Sequence, residues 1–423
     1  MTRKIRNFDA LCSTPLRKDA LTIAEAAYAA IDTGTVLRET LQVSGHTLTA
    51  GGKSYDLSKF ERVRIIGFGK VSCRASQTME SLLKGHLSDG AAIDVQSGVC
   101  EFVDIAAGTH PYPSEGNVVA SERIVELSKE SKENDLVIVI VSGGGSALLC
   151  YPYDECEQGR RLYDDFKGAG ANIEELNTVR RHISGVKGGG LAAMLYPATV
   201  LALVFSDIAG GKFPDVASGP TYFDETTVAD AEAVLDRFGL KGYALNETPK
   251  DRSLFARVHN VGVVSNARAM EAMSVAARAA GYRVAGLKTD AYDEAVKLVE
   301  NMFGKSAPGT AVLCASEPAL KVASAGGAGG RCTHTALEAL KRVDEHAVFL
   351  ALASDGCDNS DAAGAIADKL TKQHVRERAL SVEDSLSRFD SYPFFKQSGD
   401  LLTTGPTGSN VSDLFILLNR KAI

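Results

Sequence analysis

The sequence predicts an α/β protein of two domains, and three observations carry that expectation. Short, continuous apolar strands alternate with helical stretches along most of the chain. Glycine clusters stand just after strands or just before helices, where open α/β sheets bind their ligands. A length of 423 residues is more than one ordinary core organises.

Taken in order, alanines and leucines at helical spacing predict a long helix over 18–42. Runs rich in Val, Ile and Leu predict strands at 62–67, 91–95, 136–141 and 199–205, with helices near 70–84, 115–131 and 172–195 between them. Strands apolar on both faces need cover on both faces, so this part reads as a Rossmann-like, mainly parallel sheet with helices on either side. A helical segment at 226–238 and the polar stretch "NETPKDRS" (246–253) follow, giving an N-terminal domain of 1–245 and a linker at about 246–255. A smaller C-terminal α/β domain, 256–423, begins with strands at 261–264 and 282–287 and helices near 266–280 and 292–303. A hairpin-type pair at 311–315 and 319–324 comes next, then a helix at 333–343 and the strand "AVFLALAS" (347–354). The chain finishes with a helix "AAGAIADKL" (362–370), a polar helical segment to about 388 and the apolar run "LFILL" (414–418).

Composition narrows the function classes. With 46 basic and 53 acidic side chains the formal net charge is −7, against the concentrated basic surface of a nucleic-acid binder. Apolar runs such as "LVIVIV" (136–141) fall far short of a membrane span. The expected partners are therefore small molecules, in a monomer or homodimer, with no nucleic acid and no membrane. The eight cysteines form no CxxC pair, Cys150 and Cys156 being the closest two, and "MTRKIRNFDA" is no apolar leader. Reduced thiols and a cytoplasmic location are the expectation.

The glycine loops point to anions. "GFGKVS" (67–72) gives G-x-G-x-x-S, with Ser72 at the third small position of a dinucleotide fingerprint, Asp89 and Asp94 near the spacing of its ribose-binding acid, and Lys70 inside the turn. That lysine reads as a cation at a helix N-terminus, where backbone already favours anions; a solvated surface lysine is the plainer alternative. In "VIVIVSGGGSALL" (137–149), Gly143, Gly144 and Gly145 between Ser142 and Ser146 form an N–H nest able to surround phosphate oxygens. "VRRHISGVKGGGLA" (179–192) adds Lys187 among basic residues, and "VFSDIAGGKFPDVASGPT" (204–221) places Asp207 after a strand. Farther on, Arg331 opens a helix after "GGAGG", Asp355 and Asp358 lie in the turn after a strand, and Asn410 follows a Gly-Pro-Thr-Gly loop. Cations, acids and phosphate-sized nests together are the equipment of phosphoryl transfer, in which positioning and charge neutralisation do most of the work. Neither "GGKS" (51–54) nor "GKS" (304–306) has the upstream glycine of a Walker A loop, and no HRD or DFG sequence of the protein kinases is present.

Eight ordered motifs, "GFGK", "GTHPYP", "VSGGGSALL", "HISGVKGGGLA", "SDIAGGKFPDVASGPT", "GAGGR", "ASDGCDNSDAAGA" and "TGPTGSNVSDL", resemble those of the class II glycerate kinases (glycerate 2-kinases) over roughly 10–420. The C-terminal region of that family is called the MOFRL domain. The resemblance implies an active site in an interdomain cleft and transfer of the γ-phosphoryl of ATP, with Mg²⁺, to the 2-hydroxyl of D-glycerate, giving 2-phosphoglycerate. It implies that Lys70 and Arg331 are the essential cations, and that Asp207, Asp355 and Asn410 are polar active-site positions. One of the two acids would carry the metal and one would orient or deprotonate the attacking hydroxyl. Gly67, Gly69, Ser142, Gly143, Gly144, Gly145, Ser146 and Lys187 would contact substrate or nucleotide. Some relatives carry the label hydroxypyruvate reductase, which needs a nicotinamide site that "GFGKVS" supports poorly. A catalytically silent binding homologue is a third reading. Departures from the family pattern stand at Gly190, where arginine is common, and at Cys332, His334 and Asn359.

Overall fold

The computed structural model describes residues 3–169, 172–208, 212–286, 294–320, 322 and 326–420. Two units separate by their internal contacts, one of Thr33–Asp207 with Lys212–Val263, the other of Met1–Asp32, Ile208–Gly211 and Val264–Ile423.

In the first unit, β4 (Arg62–Phe68), β5 (Asp89–Asp94), β6 (Val103–Ala107), β7 (Asp135–Ser142), β8 (Thr199–Phe205) and β9 (Val258–Val264) form a sheet of order β6-β5-β4-β7-β8-β9. The pairings from β6 to β8 are all parallel, as expected for strands buried on both faces. From β4 the chain winds toward β5 and β6, and from β7 it winds the other way to β8. The order therefore reverses between β4 and β7, the switch point where such sheets open a crevice at their carboxyl edge.

Several expectations need correction here. The long helix of 18–42 is two helices, Pro15–Ala30 and Thr33–Thr40, and its last two residues begin a strand. That strand, β1 (Leu41–Ser44), joins β2 (Thr47–Ala50) and β3 (Lys53–Asp56) in an antiparallel sheet that the apolar pattern did not signal. Its strands are short and mix buried with exposed positions, so they lack a continuous apolar run. Their turns were the available clue: Gly45, Gly51 and Gly52 all take positive φ. The helix of 172–195 is also two, Ile173–His182 and Gly190–Leu195, because Gly188 and Gly189 at φ +53° and +85° turn the chain left-handed between them. The strand expected to open the second alternation is β9 of this first sheet.

The second unit holds β10 (Arg283–Gly286), β11 (Thr310–Ser316), β12 (Ala347–Ala353), β13 (Gly364–Asp368), β14 (Leu401–Leu402) and β15 (Asp413–Asn419), in the order β10-β11-β15-β12-β13-β14. Only β10 and β11 pair in parallel; the remaining pairings are antiparallel. The stretch 362–370 was expected as a helix and is β13, followed by the helix Lys369–Glu377 that Asp368 caps. A short apolar run fits a buried strand and a helical turn equally well, and pairing with β12 decides it. The pair expected at 319–324 falls largely outside the described residues.

The expected division cut the chain once, at 246–255, whereas the contacts group Met1–Asp32 with Val264–Ile423. The helix Pro15–Ala30 packs on the helix Asn266–Ala279 and on β12 and β15, and polar ties reinforce that packing. Arg17, on the helix Pro15–Ala30, is 2% exposed and donates to Asp368, Asp400 and Thr371, while Tyr28 of the same helix donates to the Ala353 carbonyl. Stripping Arg17 of these carboxylates would leave buried charge uncompensated. Cys150 and Cys156 form a disulfide with Cα atoms 5.3 Å apart, so the expectation of reduced thiols fails for that pair. Among the described residues no helix is long and apolar enough to cross a membrane.

Candidate active site

At the switch point two glycine loops lie against each other. The Lys70 N–H donates to the Gly143 carbonyl at 3.0 Å, and Gly69 N–H donates to Ile93 O at 3.1 Å. Ser142 Oγ accepts from Val71 N–H at 3.3 Å and donates to the Phe68 carbonyl, so this serine fastens loop to loop. Gly69 has φ +111°, and a Cβ there would fall 2.2 Å from Ser142 Oγ and 2.5 Å from the Ser142 carbonyl oxygen. Gly144, at φ +80°, faces both Lys70 and His110: a Cβ would meet Lys70 Cγ and His110 Cδ2, each at 3.2 Å. Gly145 in turn leaves room for Ala217 and Phe68. The segments carrying Gly67, Gly69 and Lys70 and those carrying Ser142, Gly143, Gly144, Gly145 and Ser146 thus form one loop cluster. Asp207 belongs to the same carboxyl edge, two residues beyond Phe205, which pairs with Ser142 across the sheet.

Two further features of this edge bear on the site, Asp94, which the sequence offered only as a ribose-binding acid, and a strained turn at 217–218 that it did not signal. Asp94, at the end of β5, accepts from the Cys73 and Val95 N–H groups, and burial pushes its carboxyl up to about 6. The first N–H groups of the helix Ser72–Leu83 are therefore occupied, Val71 by Ser142, Ser72 by Gly69 O and Cys73 by Asp94. A dinucleotide pyrophosphate would need those same donors, which weighs against the fingerprint reading of "GFGKVS". Ala217 and Ser218 hold positive φ without being glycine, a strained turn of the kind that clusters at working sites. Ser218 Oγ lies 3.0 Å from Ser146 Oγ and donates to Asn177 Oδ1.

Lys187 is buried and committed. Its ammonium bonds the Leu149 carbonyl at 3.0 Å and ion-pairs with Glu155, whose second oxygen accepts from Tyr151 N–H at 2.6 Å and Ser184 Oγ at 2.9 Å. Burial lowers the lysine and raises the glutamate, and the mutual attraction opposes both. Gly190 has no room for an arginine, because a Cβ would stand 2.3 Å from the Gly185 carbonyl oxygen.

In the second unit Arg331, Asp355 and Asn410 gather at one edge of the mixed sheet. Arg331 starts the helix Arg331–Leu340, whose N-terminus is held by Asp358 through Cys332 N–H at 2.9 Å, Thr333 N–H at 2.7 Å and Thr333 Oγ1 at 2.7 Å. A side chain at Gly330 would overlap Asp358 Oδ1 at 2.2 Å, which explains the small residue before the arginine. The guanidinium of Arg331 bonds Asp413 at 2.7 Å and Glu317 at 3.1 Å. Burial opposes its charge, but these carboxylates outweigh burial and hold it firmly protonated. Asp355 caps its own turn through Cys357 N–H, and its carbonyl receives Thr407 N–H, joining the 354–358 turn to the loop carrying Asn410. Gly356 permits that approach, since a Cβ would meet Gly405 O at 2.2 Å. Asp358 was visible as an acid in the turn after a strand, whereas Asp413 was visible only as part of a longer motif. His334 stacks on Phe389 at 5.1 Å and Cys332 is wholly buried, so both departures lie in packing.

Lys70 in the first unit and Arg331 in the second thus lie beside tight glycine turns at the end of a sheet. The domain of unknown function DUF4147 matches residues 19–249, and the MOFRL family matches 310–413. A glycerate 2-kinase of Pyrococcus horikoshii is 30% identical over 95% of this chain and 97% of its own length. An Agrobacterium vitis relative with a provisional hydroxypyruvate reductase label is 32% identical, over 84% of this chain and 87% of its own. The crystal structure of a glycerate kinase from Thermotoga maritima is 29% identical, with a TM-score of 0.79 over 95% of this chain and 99% of that one. The chain belongs to the class II glycerate kinase (glycerate 2-kinase) family.

Proposed function

We propose that this protein is an ATP-dependent kinase that phosphorylates the 2-hydroxyl of D-glycerate, giving 2-phosphoglycerate, and that it works in the cytoplasm. The observation that carries the reading is the Lys70 loop packed on the Gly143–Gly145 turn at the switch point, a cation beside backbone N–H groups on a rigid parallel sheet. In this reading Lys70 and the Gly143–Gly145 turn hold the nucleotide phosphates, and Arg331 neutralises charge that builds on the transferring phosphoryl group. Its partners Asp413 and Glu317 keep that guanidinium charged and aimed. Asp207 and Asp355 are the candidates for orienting the attacking hydroxyl and for a metal.

No group of three or more His, Cys, Asp or Glu side chains among the described residues is arranged to hold a metal ion. That suits Mg²⁺ in a kinase, which takes one or two carboxylates and otherwise water and substrate phosphates. Asp207 or Asp355 would supply such a ligand, and the ion would neutralise phosphate charge.

Incubation with D-glycerate and Mg-ATP, followed by phosphorus NMR of the product, is the test. 2-Phosphoglycerate is expected; no turnover of glycerate, or phosphate on the 3-hydroxyl, removes the proposal. Lys70→Ala and Arg331→Ala should each lower kcat by about 10³-fold while the protein stays folded. Reduction of hydroxypyruvate by NADH should not exceed background.

A further inference from the structure

We propose that Arg180 binds the carboxylate of the acid substrate. The inference rests on the kinase reading and adds the group that recognises the acceptor. Arg180 lies in a narrow recess lined also by Pro111, Ser146, Cys150, Glu155 and Lys187. Four separated segments meet there, one of them the glycine turn assigned to phosphate.

Charge in this recess does not balance. Lys187 and Glu155 neutralise each other, and the remaining lone pairs of Glu155 are taken by Tyr151 N–H and Ser184 Oγ. Glu155 is thus spent as a partner for a second cation. Among the described residues no hydrogen bond or ion pair involves the Arg180 guanidinium. Arg180 keeps part of its surface in solvent, yet a guanidinium largely walled in by protein is ordinarily paired, because removing its water without a partner is costly. Enclosure pushes this one down to about 10, opposed only by the fields of Tyr163 and Glu155, so it remains a cation at neutral pH. Five donors in a fixed fork suit a planar carboxylate, which they grip at two points. Lys187, expected from the sequence as a contact residue, becomes a positioning residue that fixes Glu155 and shapes the wall.

Steady-state kinetics with glycerate and nucleotide varied separately tests this. Arg180→Ala should raise the glycerate KM about 30-fold or more, the loss expected when one member of a desolvated charge pair is removed. The nucleotide KM should move less than about twofold on the same reasoning, and Arg180→Lys should recover part of the loss. A shifted nucleotide KM with unchanged glycerate KM places the arginine on a phosphate and overturns the inference. Unchanged constants in Arg180→Ala overturn it too; if that variant does not fold, unchanged constants in Arg180→Gln do the same. A wild-type enzyme inert toward glycerate refutes the proposed function instead. Arg180 is then judged by calorimetry with glycerate, lactate and tartrate, where equal affinity in wild type and Arg180→Ala, or no binding by either, ends the proposal.

Discussion

Replacing Asp358 by asparagine changes one charge and almost no volume at the root of the Arg331 helix. Burial, with the field of Asp413 adding to it, pushes the Asp358 carboxyl from an ordinary 3.8 up to about 6, against three donors that favour the ionised form. The folded protein therefore keeps a proton on this group that the unfolded chain has already released. Stability contributed by the neutral form is complete below pH 4, falls as pH rises through the window from about 4 to about 6, and is gone above it. Across that window, at roughly 1.36 kcal/mol per pH unit, the loss amounts to about 3 kcal/mol. Asparagine does not titrate, so the stability of Asp358→Asn relative to wild type should rise by about 3 kcal/mol between pH 4 and pH 7. A constant offset of about 1–3 kcal/mol in the other direction is expected, because the amide must point its NH₂ at one of the N–H groups that Asp358 now receives. Urea unfolding of both proteins at several pH values, scored on the transition that releases amide protons of the helix Arg331–Leu340, measures the difference while titrations common to both cancel. A difference that stays flat from pH 4 to pH 7, or a carbon-13 midpoint for Asp358 below 4.5, would refute the argument.

Gly69→Ala should lower stability by roughly 2–4 kcal/mol and abolish most activity, since it adds left-handed strain and an overlap with the Ser142 backbone; thermal melting and turnover read both. Glu155→Ala should cost about 3–5 kcal/mol by leaving Lys187 buried without its partner, and Glu155→Ala combined with Lys187→Met should recover most of that loss. Equal melting temperatures for the single and double variants would show that the pair is not coupled.

Much of this molecule was legible before any coordinates. β4, β7 and β8 announced themselves because strands covered on both faces need unbroken runs of Val, Ile and Leu. The glycine turns were equally visible, since only glycine tolerates the approach of one loop to another at Gly69 or Gly356. The family followed from the order of the motifs.

Other features depend on partners far away along the chain. Whether 362–370 winds or extends is settled by an open edge of β12, which no local pattern records. That the helix Pro15–Ala30 belongs with Val264–Ile423 follows from its packing on the helix Asn266–Ala279, with Arg17 meeting Asp368 and Asp400, carboxylates 351 and 383 positions distant. Lys187 and Arg180 look alike in sequence, both basic and both beside the same glycine run. Only folding gives one of them a buried glutamate and leaves the other facing the recess, because the energy of a charge is set by what surrounds it in space.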